Sequence, residues 1–138
     1  MREGISEIIV DGQTVAYVFT NGLKVTGTEF LTPSNLYFQI GAHNHPKGKV
    51  FKPHAHNLPN GPINVSTIEE LIFITKGKDK FDFYDADEKI AQTVEVTEGE
   101  AILTTQGAHG GEILEDGTEF FEIKQGPYPG DGIAKKFI

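Results

Sequence analysis

Two histidines, His54 and His56, stand two residues apart inside the stretch 48–77, GKVFKPHAHNLPNGPINVSTIEELIFITKG. On a β-strand alternate side chains share a face, so both imidazoles would point the same way and could grip one metal ion. A carboxylate follows at Glu70, heading the apolar run Leu-Ile-Phe-Ile that reads as a buried strand. Glu69 is the competing acid, since strand alternation turns only one of the two inward. A further histidine, His109, lies downstream in a glycine-rich stretch. Three imidazoles and one carboxylate would complete a metal shell with room left for water or substrate. Such a set suits a single divalent transition metal, Fe, Mn, Ni, Zn or Co, and the sequence does not choose among them. The chain has no cysteine, so any metal would be held by imidazole and oxygen alone.

These residues resemble the cupin family. Its first motif, G-x5-H-x-H-x3,4-E-x6-G, is met at Gly48, His54 and His56, and again at Glu70 and Gly77. Between the halves thirteen residues separate His56 from Glu70, a longer connection than the motif has. The second motif, G-x5-P-x-G-x2-H-x3-N, is approached at Gly99, Gly107 and His109. Thr105 stands in place of its proline, the histidine comes one residue early, and the closing asparagine is absent. The similarity covers residues 48–109. It implies an all-β, cupin-type small β-barrel (a jelly roll) as one domain over 1–138, with the metal-site core at about 36–124. It also implies a homodimer. The cupins it is most similar to are those of sugar and surface-polysaccharide pathways. The expected activity is therefore metal-dependent isomerisation or epimerisation of a sugar or sugar derivative, with the metal acting as Lewis acid beside a base. The alternatives are an Fe(II) dioxygenase on a small organic substrate, a non-catalytic metal- and sugar-binding module, and a degenerate barrel without metal.

Candidates for the base are His43, His45 and Glu122. Histidine titrates near neutral pH, which suits the role. The competing reading of His43 and His45 is a strand end whose rings face solvent or pack on Tyr37 or Phe51. Glu122 and Lys124 share one strand face, opposite Phe121 and Ile123. If that face looks inward the two form an acid and a base, with Lys124 toward substrate; the reading preferred here turns it outward as a solvated edge. Tyr128, in the segment Lys-Gln-Gly-Pro-Tyr, is a candidate to stack on substrate or to close one barrel end. Arg2 is the only arginine, so phosphate groups would fall to lysines.

The elements that must carry these residues read as strands. Glycine and proline recur along the whole chain, helical periodicity is scarce, and turn signals come every 8–12 residues or so. Asp11-Gly12 is a hairpin turn between strands at 8–10 and 13–19. Asn21-Gly22 is a second turn, leading to 23–25. Strands are expected at 36–40, at 50–56 bearing the two histidines, and at 70–76 paired with 80–84 through Gly77-Lys78-Asp79. Others are expected at 90–96, 101–104 and 119–124, with 107–111 a sharp segment around His109. Residues 57–67 read either as a loop at a barrel mouth, where substrate contacts usually lie, or as a surface loop lengthened without consequence. A length of 138 residues suits one domain. The net charge of −8 argues against nucleic acid as a partner. The opening residues hold acids and no long apolar stretch, and no run approaches the roughly 20 apolar residues of a membrane helix. A cytoplasmic protein with a small-molecule substrate is expected.

Overall fold

Asp11 and Gly12 both adopt positive φ, 51° and 75°. That is the geometry of a two-residue hairpin whose twist matches its strands. The turn joins β1 (Ile5–Val10) to β2 (Gln13–Phe19). The computed structural model describes residues 2–56, 65–125 and 131–138. Ten strands are defined among them, followed by a single helical turn, Asp131–Ala134. The chain divides into two units: Met1–Leu23 with Ile68–Ile138, and Lys24–Thr67.

The larger unit holds two antiparallel sheets. One runs in the order β1-β2-β8-β5-β10, with β5 at Glu70–Lys76, β8 at Ala101–Thr104 and β10 at Glu119–Lys124. The other runs β7-β6-β9, with β6 at Lys78–Tyr84, β7 at Ile90–Thr97 and β9 at Ala108–Ile113. Strand alternation places Ala16, Val18, Ile72, Ile74 and Ile102 on one face of the first sheet and Phe81 and Phe83 on one face of the second. All seven belong to one buried apolar cluster, so these faces enclose the core between the sheets. Gln92 on β7 donates its amide N–H to the Ile9 carbonyl on β1 at 2.9 Å, tying those two edge strands. At the other flank the edge strands are β9 and β10, which do not pair with each other.

The expected cupin barrel is therefore not formed. Each sheet keeps two edge strands and none closes on itself. One physical reason lies at Gly77. Strands 70–76 and 80–84 were expected to pair as a hairpin through Gly77-Lys78-Asp79, but the second strand already begins at Lys78, so a single residue joins the two and they enter different sheets. A hairpin needs at least a two-residue loop. Gly77, at φ 84°, turns the chain out of the first sheet instead. There its carbonyl accepts from Glu98 N–H at 3.0 Å and from the Thr97 hydroxyl at 3.2 Å.

The smaller unit holds one hairpin, β3 (Gly27–Phe30) and β4 (Gly41–Asn44). Its connection is tied by side chains: Gln39 donates to the Pro33 and Leu36 carbonyls, and the Thr32 hydroxyl donates to the Phe38 carbonyl. The strands expected at 23–25, 36–40 and 50–56 are absent. In the last, Val50 and Phe51 are adjacent, so no pleat can bury both on one face; both are exposed. Pro53 then removes a ladder donor. Most of the loop expected at 57–67 lies outside the described residues, as does Tyr128.

Gly77 generates a test of the sheet switch. A Cβ there would collide with Thr118, whose Cα it would approach to 2.9 Å, and the positive φ adds strain. Gly77→Ala is expected to lower unfolding stability by about 1–3 kcal/mol, read as a reduced urea midpoint at unchanged m-value.

Candidate functional site

Glu70 opens β5 on the core-facing side of the first sheet. Its register partner on β10 is Lys124, and Glu122 sits opposite Ile72 on the same face. The charged pair of β10 thus points inward and the apolar pair outward, the reverse of the preferred expectation: Phe121 and Ile123 are 66% and 53% exposed. The inversion follows from register, because the partners of Glu122 and Lys124 lie in the row that carries Ile72 and Ile74. From the second sheet, His109 stands opposite Phe83, also facing inward. It lies on strand β9, not on the sharp turn expected at 107–111.

Three strands thereby converge on one carboxylate. His109 Nε2 lies 3.4 Å from Glu70 Oε1, and Lys124 Nζ lies 3.5 Å from Glu70 Oε2 and 3.3 Å from Glu122 Oε1. The Glu70 carboxyl also shares a hydrogen bond with that of Glu122. The Thr104 hydroxyl donates to the Glu70 carbonyl from β8 at 3.4 Å.

Two adjacent carboxyls cannot both ionise cheaply, so their proton affinities separate. The hydrogen bond from His109 holds Glu70 down at about 2, against its burial, with Glu122 and Lys124 adding to the effect. Glu122 is pushed up, first by its hydrogen bond to the Glu70 carboxylate, then by burial and by the Glu70 charge. For Lys124, burial opposes the charge, but the bond to Glu122 and the two carboxylates outweigh it and raise the ammonium's pKa. The cluster therefore carries an ionised Glu70, a Glu122 that keeps its proton to higher pH than an ordinary glutamate, and a cationic Lys124. Glu70 is well covered, its side chain 14% exposed, while Glu122 at 41% reaches solvent. Among the described residues His109 Nδ1 has no hydrogen-bond partner.

The expected metal shell of His54, His56, Glu70 and His109 is not assembled. Among the described residues no group of three or more histidine, cysteine or acidic side chains is placed to hold a metal ion. Glu70 and His109 do meet, but beside them the cationic position is taken by the Lys124 ammonium. His54 and His56 belong to the smaller unit and to a segment without strand structure. Their rings stand edge to face at 5.1 Å, and His54 Nδ1 donates to the Lys52 carbonyl at 2.8 Å, a local bond that replaces strand pairing. The single divalent transition metal expected as cofactor thus has no ligand set among the described residues. The choice between Glu69 and Glu70 also resolves. Glu69 is buried, but just ahead of β5, where its N–H donates to Gln125 Oε1 at 2.9 Å, while Glu70 alone meets His109. His43 and His45 pack against Phe51, as the competing reading had it.

Compared with protein-family models, with curated proteins and with solved structures, the chain matches none. The likeness to cupins is thus confined to short motif fragments, and neither the three open sheets nor the side-chain geometry supports it. Metal-dependent sugar isomerisation, the Fe(II) dioxygenase alternative and the metal-binding module fall with it. Among the described residues no helix is long and apolar enough to cross a membrane.

Glu70→Gln tests the cluster. Glu122 loses the carboxylate that raises it, so its pKa should fall toward the ordinary glutamate range in a side-chain carbon NMR titration. A depressed folded-state pKa also stabilises the fold above the unfolded value and ceases to do so as pH falls through the folded one. Wild-type stability should therefore drop between pH 4.5 and about 2 by a component that Glu70→Gln lacks, measured by urea unfolding across that window.

Proposed function

We propose that this chain binds a small, uncharged polar molecule at the open flank between β9 and β10 and exchanges a proton with it. The observation that carries the reading is the convergence of His109, Glu122 and Lys124 on Glu70 from both sheets. Carboxyl, ammonium and imidazole groups meet here with both signs of charge among them, which favours a polar ligand carrying both donors and acceptors over a simple ion. Hydroxyl- and carbonyl-bearing molecules, sugars among them, fit that description. Glu122 is the proton donor, because it keeps its proton to higher pH than an ordinary glutamate and reaches solvent. Glu70 is a positioning residue: it holds His109 through Nε2 and leaves Nδ1 for the ligand. Lys124 stabilises negative charge developing on a ligand oxygen. A cytoplasmic setting, with such metabolites at hand, accords with this reading.

NMR titration of the full chain with a panel of monosaccharides, polyols and hydroxyketones tests it. A binding member should give saturable shifts at the side chains of Glu122 and His109. Its affinity should fall about tenfold or more in Glu70→Gln. It should also weaken as pH rises through the raised pKa of Glu122, where a second carboxylate appears beside Glu70. A panel that leaves the cluster unmoved, or binding indifferent to Glu70→Gln, sinks the proposal.

A further inference from the structure

Charge is divided unequally along the chain. No acidic residue occurs between Glu29 and Glu69. The unit Lys24–Thr67 carries four lysines against one glutamate, a net +3 with histidines neutral. The whole chain stands at −8, so the remainder stands at −11. Four of the five histidines fall inside the basic unit.

The β3–β4 hairpin gathers part of this unit into a defined cluster. Thr28 pairs with His43 across the hairpin, and its hydroxyl lies 3.0 Å from His43 Nδ1 and 3.1 Å from His45 Nε2. A hydroxyl has one hydrogen, so it donates to one ring and accepts N–H from the other. That engages both inner nitrogens, which lie 3.4 Å from each other, and makes one ring a donor and the other an acceptor toward Thr28. Each ring then keeps an outward nitrogen, His43 Nε2 and His45 Nδ1, without a hydrogen-bond partner among the described residues. Both rings stand edge-on to Phe51, at 6.0 and 5.1 Å between centroids, and Lys49 Nζ lies 5.6 Å from the centre of the Phe51 ring. Phe51 thus packs against both imidazoles while holding a cation close by.

We infer that Thr28, His43, His45 and Lys49 form a binding site for a phosphoryl anion, inorganic phosphate or a phosphomonoester. With both rings neutral, the ring that accepts from Thr28 carries its hydrogen outward and the other presents an outward acceptor, so a hydrogen phosphate accepts from that N–H and from the Lys49 ammonium and donates its P–OH to the remaining nitrogen. The one carboxylate of this unit is Glu29, which accepts from the Thr26 N–H at 3.2 Å, and residues 30–68 add none. Lys47 and Lys52 are exposed on either side and raise the local positive potential. The inference uses none of the residues of the β9–β10 cluster and stands whether or not that cluster binds a ligand.

The test is an NMR titration of the histidine ring protons of the full chain with inorganic phosphate. It is run at fixed pH and ionic strength, with sodium chloride as the control anion. His43 and His45 should shift saturably while His109 stays in place, and the affinity should fall about tenfold or more in Lys49→Gln. Glycerol phosphate forms a second arm: tighter binding than phosphate assigns an organic phosphomonoester, and equal binding assigns the inorganic ion. Shifts linear in concentration, shifts alike at all five histidines, or full affinity in Lys49→Gln would mean general charge screening and overturn the site. Lys49 is exposed, so its substitution leaves folding intact, and an unchanged amide spectrum confirms that.

Discussion

An ionised carboxylate at the inner end of β5 sets the terms for the open flank of the larger unit. Glu70 belongs to the same inward row as Ile72 and Ile74, which are buried in the apolar core. A charge so placed must be paired or it costs several kcal/mol. The partners come from both sheets: Lys124 and Glu122 from the neighbouring strand, His109 from the sheet opposite. Without them, burial would favour the protonated acid. With them, Glu70 stays charged and its proton affinity is transferred in effect to Glu122. The same contacts that make the charge tolerable therefore create the acid–base difference across the cluster.

The open flank is the second half of the same arrangement. At β1 and β7 the two sheets are bridged by Gln92, a neutral side chain on a backbone carbonyl. At β9 and β10 the bridge is made by charged and titratable groups, and the strands do not pair. Backbone pairing there would satisfy the edge groups internally and leave no access to Glu122. Edge strands are usually protected by charge, and here the inward charges of β10 serve that end while also forming the cluster.

Local signals in the chain were legible wherever one short feature decided the outcome. Asp11-Gly12 specified its hairpin, and the apolar runs at 70–76, 90–96 and 101–104 became strands close to the expected bounds. The pairing of Glu70 with His109 was also legible, although it was read as half of a metal shell. What misled was spacing taken without its context. His54 and His56 share a strand face only if there is a strand, and Val50-Phe51 followed by Pro53 denies one. The inward turn of Glu122 and Lys124 could not be read from alternation, which says that the two share a face but not which. Only the register against Ile72 and Ile74 settles it, and register is a long-range property.

The net charge of −8 concealed the most useful compositional fact. Averaged over the chain it reads as an acidic, soluble surface. Divided at the unit boundary it becomes a strongly acidic body and a basic, histidine-rich segment without a single carboxylate from 30 to 68. A span of 39 residues free of Asp and Glu, in a chain with 20 of them, was visible in the sequence alone. It matters physically because an anion is held by donors that lack nearer acceptors. In the larger unit the one lysine of the cluster, Lys124, is neutralised by Glu70 and Glu122. On the β3–β4 hairpin the inner nitrogens of His43 and His45 meet the Thr28 hydroxyl and each other, and no carboxylate among the described residues. The outward nitrogens keep their capacity, and the site's preference for an anion follows from what the segment omits.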